Sequence, residues 1–360
     1  MEPMPTTSLA QPLPIPLAHP LLGSTLPLDQ LYLGSYIGSG GFSVVFRGVQ
    51  VHTGQEYAVK AIPFAPTGTP LNAQQKAEAC LHSRASEHPN VVRLHKYFLH
   101  QHAGAEYLIL VMDLVHGGDL HAMISAGRLA HRPQHLRHLF GQILDAVTHC
   151  HEKGIYHRDL SAENFLCTQD LAKIYLTDFG MAAVEPYYQH VGLGSMAYMS
   201  PEIHRSADPT ASIHAPSTDV WALGVLLVML LTGSAPWRCA TIGDPDFTLF
   251  ATDPSALFVR HRMPLPVEML IRRALACNPG ERISLSEFRA AFFLLDNEDL
   301  MLPRGPSEVP LAPAIRLWRA SPGLISDSGS ADSSESATID TPSGYSSQNS
   351  SVMLYKLSDF

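Results

Sequence analysis

Two short strings in the middle of the chain carry residue types that could together transfer a phosphoryl group. The first, His-Arg-Asp-Leu-Ser-Ala-Glu-Asn, occupies residues 157–164, and the second, Asp-Phe-Gly, begins fourteen residues later at Asp178. An aspartate such as Asp159 can orient a substrate hydroxyl and accept its proton. An asparagine and a second aspartate provide the oxygen ligands that Mg²⁺ prefers, so Asn164 and Asp178 are candidate metal ligands. Positioning and charge neutralisation are nearly all that phosphoryl transfer requires of a protein.

A glycine-rich turn near the N-terminus could approach phosphate groups. Residues 38–45 read Gly-Ser-Gly-Gly-Phe-Ser-Val-Val, and strand-like residues flank them on both sides. Gly38 and Gly40 allow the backbone to come close to a ligand and to present its N–H groups as donors. An ordinary hairpin turn is the alternative interpretation of such a string. A strand rather than a helix follows it, which argues against a dinucleotide-binding fold.

A lysine ends the next apolar strand-like stretch, fifteen residues after Val45. Lysine is rarely fully buried unless it is paired, so Lys60 requires an acidic partner if it lies inside. Glu78, on the helical stretch that follows, is the natural candidate, and Glu87 is also nearby. A surface lysine is the alternative interpretation of this position.

The elements that must position these residues change in character along the chain. Up to about residue 114, alternating β-branched and aromatic residues predict strands over 31–37, 44–49, 56–62, 91–99 and 106–114, with one helix over 73–84. After residue 118, helical periodicity predicts helices over 136–153, 218–231, 269–276 and 284–295. The pattern predicts an α+β protein with a small β-rich N-terminal lobe and a larger helical C-terminal lobe.

The composition predicts a folded part between two tails. Residues 1–30 are proline-rich and favour extended conformations, and residues 298–360 form a serine-rich acidic segment that cannot bury enough apolar surface to fold. Residues 31–297 therefore form the predicted domain, with an N-lobe over 31–116 and a C-lobe over 117–297. The tails could bind signalling modules of the SH3 type, although plain solvated tails are the alternative.

The charge and the apolar runs exclude several classes of partner. The net charge is −9 and the 24 Lys and Arg form no dense run, which argues against nucleic-acid and anionic-membrane surfaces. The longest apolar run, residues 220–231, is too short to span a bilayer of about 30 Å. Five cysteines without a Cys-x-x-Cys pair indicate free thiols in a reducing compartment. We expect a cytoplasmic protein without nucleic-acid or membrane partners, and nuclear access stays open.

Taken in order, these motifs resemble those of the eukaryotic protein kinase family, serine/threonine type, over residues 31–297. The resemblance implies a bilobal kinase fold, ATP and Mg²⁺ as cofactors, and protein hydroxyls as substrates. It implies Asp159 as the catalytic base, Lys60 and Asn164 as further catalytic residues, and Asn164 and Asp178 as metal ligands. The nucleotide-binding set that it implies is Ile37, Gly38, Ser39, Gly40, Gly41, Phe42, Ser43, Val45, Ala58, Lys60, Glu78, Met112, Asp113, Val115, Asp119 and Leu166.

Within that set, the resemblance implies a separate task for each group. Ser43 stands where the third glycine of the nucleotide loop usually falls. Lys60 is expected to hold the α- and β-phosphates and to pair with Glu78. Residues 112–115 fall on the hinge that receives adenine, Leu166 lies beneath the adenine ring, and Asp119 falls where an acid often meets the ribose.

Further strings match landmarks of the family in the C-terminal half. Ser-Pro-Glu at 200–202 resembles the end of the activation segment, and Arg282 resembles the arginine that pairs with its glutamate. Asp219 resembles the buried aspartate that braces the catalytic loop. Gly-Ser at 194–195 sits where serine/threonine kinases carry Gly-Thr, which indicates that substrate class. The run 198–202 resembles fungal kinases of the meiosis- and nutrient-signalling group.

Ser161 departs from the family pattern, because serine/threonine kinases place a lysine there against the γ-phosphate. Losing that charge removes electrostatic stabilisation of the transition state. Two interpretations follow: an active kinase, or a degenerate kinase-fold scaffold that mainly binds partners. A kinase-like enzyme for a small molecule is a third, but such enzymes generally lack the Ser-Pro-Glu string and its arginine partner.

The segment that follows the Asp-Phe-Gly string lacks the usual phosphorylation switch. Between Met181 and Gly194 it contains no serine, threonine, lysine or arginine, and its only hydroxyls are those of Tyr187 and Tyr188. A phosphorylated residue held by an arginine cluster therefore has neither its usual acceptor nor its supporting charges. We expect this segment to be ordered by packing.

Overall fold

The computed structural model describes residues 19–40, 43–189, 194–205 and 212–303. Within these ranges, a β-sheet N-terminal lobe precedes a larger helical C-terminal lobe, which confirms the predicted α+β bilobal fold. Gly41 and Phe42 of the glycine-rich turn lie outside the described residues. So does most of each predicted tail, at residues 1–18 and 304–360.

An antiparallel sheet and one helix make up the described N-terminal lobe, and the strands follow the order β1-β2-β3-β4-β6-β5. The elements are β1 Thr25–Leu26, β2 Leu31–Ser39, β3 Val44–Gln50, β4 Glu56–Pro63, α1 Pro70–Ala85, β5 Leu94–His102 and β6 Ala105–Asp113. Strand β6 is buried at six consecutive positions because the sheet is covered on both faces there. The register places Lys60 of β4 beside Val45 of β3 and Leu110 of β6, so this lysine starts from a central strand next to the glycine-rich turn.

Helix α1 delivers a carboxylate to the inner side of the N-lobe. It begins after Thr69, whose Oγ1 accepts a hydrogen bond from Asn72 N at 3.2 Å, and Pro70 occupies the first helical position, where no amide donor is needed. Glu78 lies at the middle of the helix and is buried. A capped, proline-initiated helix therefore fixes the position of the acid that was predicted to pair with Lys60.

The C-terminal lobe packs its helices around one apolar core. The elements described in this lobe are α2 Leu120–Ser125, α3 Pro133–Glu152, β7 Phe165–Cys167, β8 Ile174–Leu176, β9 Tyr187–Tyr188, α4 Pro201–Arg205, β10 Ile213–His214, α5 Ala215–Thr232, α6 Pro245–Thr252, α7 Ser255–His261, α8 Leu265–Ala274 and α9 Leu285–Leu294. Strands β7 and β8 form a short antiparallel hairpin, and β9 pairs with β10.

Helix α5 is the central helix of this core. Its Gly224 allows close packing, because a Cβ at this position would lie 2.8 Å from Leu275 Cδ2 and 3.1 Å from Ala274 Cβ. By length and composition α5 could cross a membrane, but 83% of its 18-residue window is buried inside the lobe. It is therefore placed as a core helix of the lobe.

Several element boundaries differ from the prediction, among them those of α8 and β5. Helix α8 covers Leu265–Ala274 rather than 269–276, since Pro266 is tolerated in a first helical turn. Strand β5 begins at Leu94, and Val91 instead forms an isolated bridge with Leu176.

The packed chain also extends past the predicted domain limits of 31 and 297. Leu21 and Leu26 are fully buried in the N-lobe core, and Leu300 is buried in the C-lobe core. Isolated leucines among prolines show no periodicity, so the sequence pattern does not reveal that they pack. Packed residues therefore occur on both sides of these limits, and the domain boundaries themselves stay a prediction.

Candidate active site

One buried carboxylate holds the catalytic-loop string in place. Asp219, which is 1% exposed, accepts hydrogen bonds from His157 N at 2.9 Å and from Arg158 N at 2.8 Å. His151 Nε2 lies 2.9 Å from the same carboxylate. Arg158 has a φ of 65°, which is uncommon for a residue other than glycine. The buried carboxylate thus stabilises a strained backbone just before Asp159.

Both carboxylate oxygens of Asp159 are oriented by neighbouring groups. Asn164 Nδ2 donates to Asp159 O at 2.7 Å and to its Oδ2 at 3.3 Å, and Ser195 N donates to Oδ1 at 3.0 Å. Gly194 makes this approach possible: it has a φ of 123°, and a Cβ there would lie 3.4 Å from Asp159 Oδ1. The segment carrying Ser195 therefore docks directly against Asp159.

The β7–β8 hairpin brings the two predicted metal ligands together. Thr177 N donates to Asn164 O at 2.9 Å, which sets Asp178 beside Asn164. Because Asn164 Nδ2 donates to the loop, its amide oxygen is the atom that remains for a cation. An amide oxygen beside a carboxylate is the donor set that Mg²⁺ prefers, and the two residues fit that ion. Among the described residues, no group of three or more His, Cys, Asp and Glu side chains could hold a metal by itself.

Lys60 joins both lobes through two ion pairs. Its Nζ lies 2.5 Å from Glu78 Oε1 and 2.9 Å from Asp178 Oδ1. Burial opposes the charge of this ammonium, but the carboxylates of Asp178 and Glu78 outweigh it and raise the pKa of Lys60. Glu87 instead pairs with Lys153 at 2.6 Å, so Glu78 is the acid that contacts Lys60.

A column of aromatic rings links α1 to the catalytic loop. The His82 ring stacks on Phe179 at 4.8 Å, and Phe179 meets His157 at 5.1 Å. His82 Nε2 lies 2.7 Å from Val92 O, and burial lowers the pKa of its imidazole to about 4, which keeps the ring neutral near pH 7. His82 is not among the site residues predicted from the sequence, although its position one turn after Glu78 places both on the same helix face.

The described residues of the glycine-rich string lie at the end of the hairpin that β2 and β3 form. Gly38 pairs with Val45 across β2 and β3, Ser39 pairs with Val44, and Gly40 N donates to Ser43 O at 2.9 Å. Ile37, at the end of this hairpin, is exposed.

The remaining predicted nucleotide residues lie around the junction between the lobes. Ala58 and Met112 are buried partners on β4 and β6, and Val115 packs against the same cluster. Asp113 is exposed, and its Oδ1 lies 2.6 Å from His95 Nε2. Their contacts with a nucleotide stay a prediction.

Asp119 and Leu166 face each other at the base of this junction. They form an isolated antiparallel bridge. Asp119 also caps α2, because its Oδ1 accepts a hydrogen bond from Ala122 N at 2.7 Å. One of its carboxylate oxygens thus serves the helix, and the expected ribose contact stays a prediction.

Arg282 and Ser161 occupy the two positions where the family resemblance predicts a basic side chain, and their contacts differ. Arg282 makes a bidentate pair with Glu202 at 2.8 and 3.0 Å, which matches the predicted landmark. Ser161, in the position expected for a lysine, is 1% exposed, and its Oγ has no hydrogen-bond partner among the described residues. The ion pair of Arg282 with Glu202 is therefore present as predicted, whereas position 161 carries no charge.

Comparisons with known proteins agree with this geometry. A sequence model of the family described as "Protein kinase domain" matches residues 32–294. The "Negative regulator of sexual conjugation and meiosis" of Schizosaccharomyces pombe is 34% identical over 288 residues, covering 74% of this chain and 60% of that protein. The "CBL-interacting serine/threonine-protein kinase 17" of Arabidopsis thaliana is 32% identical over 267 residues, covering 72% and 58%.

The chain spans about three-fifths of the length of these two curated relatives. The family match covers both lobes and includes the catalytic loop, the Asp-Phe-Gly string and the Arg282 anchor. From its motifs, its bilobal fold and this match, the chain belongs to the eukaryotic protein kinase family.

Proposed function

We propose that this chain is a serine/threonine protein kinase that transfers the γ-phosphate of Mg²⁺–ATP to protein hydroxyls, with Asp159 as the catalytic base. The observation that carries the proposal is the assembled network in which Lys60 contacts both Glu78 of α1 and Asp178 of the C-lobe. Kinases require this lysine–glutamate pair and this aspartate to be in place together.

The nucleotide side of the site is built to hold negative charge. Bound Mg²⁺–ATP supplies the phosphoryl group, and its cation offsets the charge that develops during transfer. Lys60 stays charged between its two carboxylates and holds phosphate oxygens. Asn164 and Asp178 hold the cation with their side-chain oxygens.

Asp159 would orient the substrate hydroxyl and accept its proton as the new oxygen–phosphorus bond forms, while the bond from the γ-phosphorus to its bridging oxygen breaks and ADP leaves. The hydrogen bonds from Asn164 and Ser195 hold its carboxylate in one orientation before substrate arrives. Such preorganisation removes the cost of reorienting groups during the reaction.

Three features support serine and threonine, rather than tyrosine, as acceptors. The plant relative is named a serine/threonine-protein kinase. Ser161 and Glu163 stand where tyrosine kinases usually show an arginine, and Ser195 docks beside Asp159 where serine/threonine kinases usually carry a threonine.

A kinase-fold scaffold that binds nucleotide without transferring phosphate is the second candidate function. The buried, uncharged Ser161 favours it, because the loop lacks the lysine expected against the γ-phosphate. Since Lys60, Asp159, Asn164 and Asp178 are all present, we favour transfer.

The test is labelled-phosphate transfer by the purified full chain with Mg²⁺–ATP and generic protein substrates, followed by phosphoamino-acid analysis. We expect phosphoserine and phosphothreonine, and we expect Asp159→Asn to lower the rate about a hundredfold or more while nucleotide still raises its melting temperature. Asp170→Asn, in the exposed β7–β8 turn, is the matched control that should keep the rate. Equal rates for wild type and Asp159→Asn would contradict the role of Asp159, and nucleotide binding without transfer would favour the scaffold.

A further inference from the structure

Arg158 is a partly buried cation beside a segment that supplies no phosphorylatable serine or threonine. The segment from Met181 to Gly194 offers no serine or threonine that could carry a phosphate to it. Among the described residues, Arg158 Nε is buried and has no hydrogen-bond partner. The buried part of a guanidinium requires some compensating contact, because removing its hydration is costly.

The ring of Tyr188 provides that contact. The Arg158 guanidinium carbon lies 4.0 Å from the centroid of the Tyr188 ring. An arginine over an aromatic face is attracted by the negative charge of the π-system, and the attraction is stronger when both groups are withdrawn from water. The ring can therefore partly replace a negative group at this position.

Tyr188 is itself held firmly from three directions. Strand β9 pairs it with Ile213 of β10, and its side chain packs on a small cluster with Met199, Ile203 and Ile213. Its hydroxyl is hydrogen-bonded to Thr218 of α5, next to Asp219. Burial raises the pKa of this hydroxyl to about 12, so it stays neutral. One side chain thus connects the catalytic loop, the end of the segment and the central helix.

We propose that Tyr188 is a positioning residue that, by covering Arg158, sets residues 178–189 and 194–202 in their working arrangement, so that transfer does not require phosphorylation between Asp178 and Glu202. The inference rests on the proposed kinase function. The docking of Ser195 on Asp159 is the catalytic feature that Tyr188 positions, because Tyr188 packs against Met199 and Ile203, which lie within eight residues after Ser195.

Tyr187 supplies a matched control in the same two-residue strand. Its side chain is 60% exposed, and its ring lies beside His214 rather than on Arg158. Substitution at Tyr187 changes the same strand and the same residue type but leaves the Arg158 contact intact.

The first experiment measures kcat and KM of the phosphatase-treated full chain for Mg²⁺–ATP and a protein substrate. We expect treatment to leave the wild-type rate unchanged and Tyr188→Leu to lower kcat about tenfold with an unchanged KM for ATP. Tyr188→Phe keeps the ring and should stay within about twofold of wild type, and Tyr187→Leu should leave kcat unchanged. A general loss of folding would not be rescued by phenylalanine in this way.

The second experiment is a double-mutant cycle that combines Tyr188→Leu with Arg158→Met. If the two side chains act through each other, the double variant should be no slower than the slower single variant. Loss of wild-type activity on phosphatase treatment, a wild-type kcat for Tyr188→Leu, or fully multiplicative effects in the cycle would each overturn the proposal. If Tyr188→Leu fails to fold, the phosphatase comparison and the kcat of Tyr188→Phe test the proposal instead. An impaired Tyr188→Phe variant would overturn it, because the hydroxyl and not the ring would then be needed. An inactive wild type, by contrast, would overturn the proposed kinase function itself.

Discussion

The two sides of the candidate active site are built with different chemistry. On the nucleotide side, Lys60 lies between two carboxylates in a network of full charges. On the substrate side, a neutral serine stands at position 161 and a neutral ring covers Arg158. In the proposed function, the nucleotide would bring its own negative charge and would have to be met by fixed cations and a metal. The substrate side has to hold the residues around Tyr188 and Ser195 in one arrangement. Packing and an aromatic contact can do this without a network of charges.

Removing the central cation of the nucleotide side should have the largest effect. Lys60→Met leaves the carboxylates of the buried Glu78 and the partly buried Asp178 without their shared cation, and it removes the group proposed to hold the phosphates. We expect kcat/KM to fall about a thousandfold and the melting temperature to drop as well. Lys96→Met is the control, because Lys96 pairs with Asp29 on the surface of β5. Transfer at the wild-type rate by Lys60→Met would show that this lysine does not serve the nucleotide.

The substrate side has a strong ion pair at its anchor, and breaking it should affect stability more than chemistry. The Arg282 side chain is fully buried and Glu202 is 17% exposed. Arg282→Met strands the glutamate, which should lower the free energy of unfolding by about 3–5 kcal/mol. Thermal melts of Arg282→Met measure this loss of stability. Arg273→Met is the control, because Arg273 makes an exposed ion pair. Equal melting temperatures for the two variants would mean that the buried pair is unimportant for stability.

The buried imidazole of His82, which stacks on Phe179, should make the free energy of unfolding depend on pH. Burial lowers the pKa of His82 to about 4 from 6.5, so the unfolded chain binds a proton that the folded chain resists. The stability associated with neutral His82 is complete above pH 6.5 and is lost as the pH falls towards 4, by about 3 kcal/mol in total. Lys60, Asp178 and His157 are the charged or titratable groups around it.

His82→Leu removes this titration, so its melting temperature should fall less than that of wild type between pH 7 and pH 4.5. His52→Leu, at an exposed turn, is the control and should follow wild type. Parallel curves for wild type and His82→Leu would show that this imidazole does not contribute to acid sensitivity.

Restoring charge to the substrate side should have the smallest effect. Ser161→Lys places an ammonium two residues past Asp159, where it would offset charge developing on the transferred group. We expect kcat to rise about tenfold, with little change in ATP affinity. Steady-state kinetics measure this, and Ser161→Met is the control for side-chain size. An unchanged kcat would mean that another basic group already fills this role.

The sequence could predict the fold class and the positions of the longer elements, and it singled out Lys60, Glu78 and Asp178, which the structure brings into contact. Those predictions rest on local strings and periodicity, which carry information about neighbours along the chain. The choice between Glu78 and Glu87 could not be made that way, because it depends on how α1 docks on the sheet. His82 could have been predicted from the sequence, because its i, i+4 spacing from Glu78 places it on the same helix face.

Contacts between distant segments account for what the sequence did not predict. The Tyr188–Arg158 contact depends on the pairing of β9 with β10, which lie 25 residues apart along the chain with no shared pattern. Leu21 and Leu26 pack into the N-lobe although they stand among prolines, where no periodicity marks a buried face. These contacts are decided by tertiary packing, which local propensity does not encode.

The most direct test of the account is γ-phosphate transfer by dephosphorylated wild-type protein, measured beside Asp159→Asn at saturating Mg²⁺–ATP. The account predicts that both proteins bind nucleotide and that only the wild type forms phosphoserine or phosphothreonine, without any prior phosphorylation. If both bind nucleotide and neither transfers phosphate, the neutral substrate side is that of a scaffold and the proposed enzyme function is wrong.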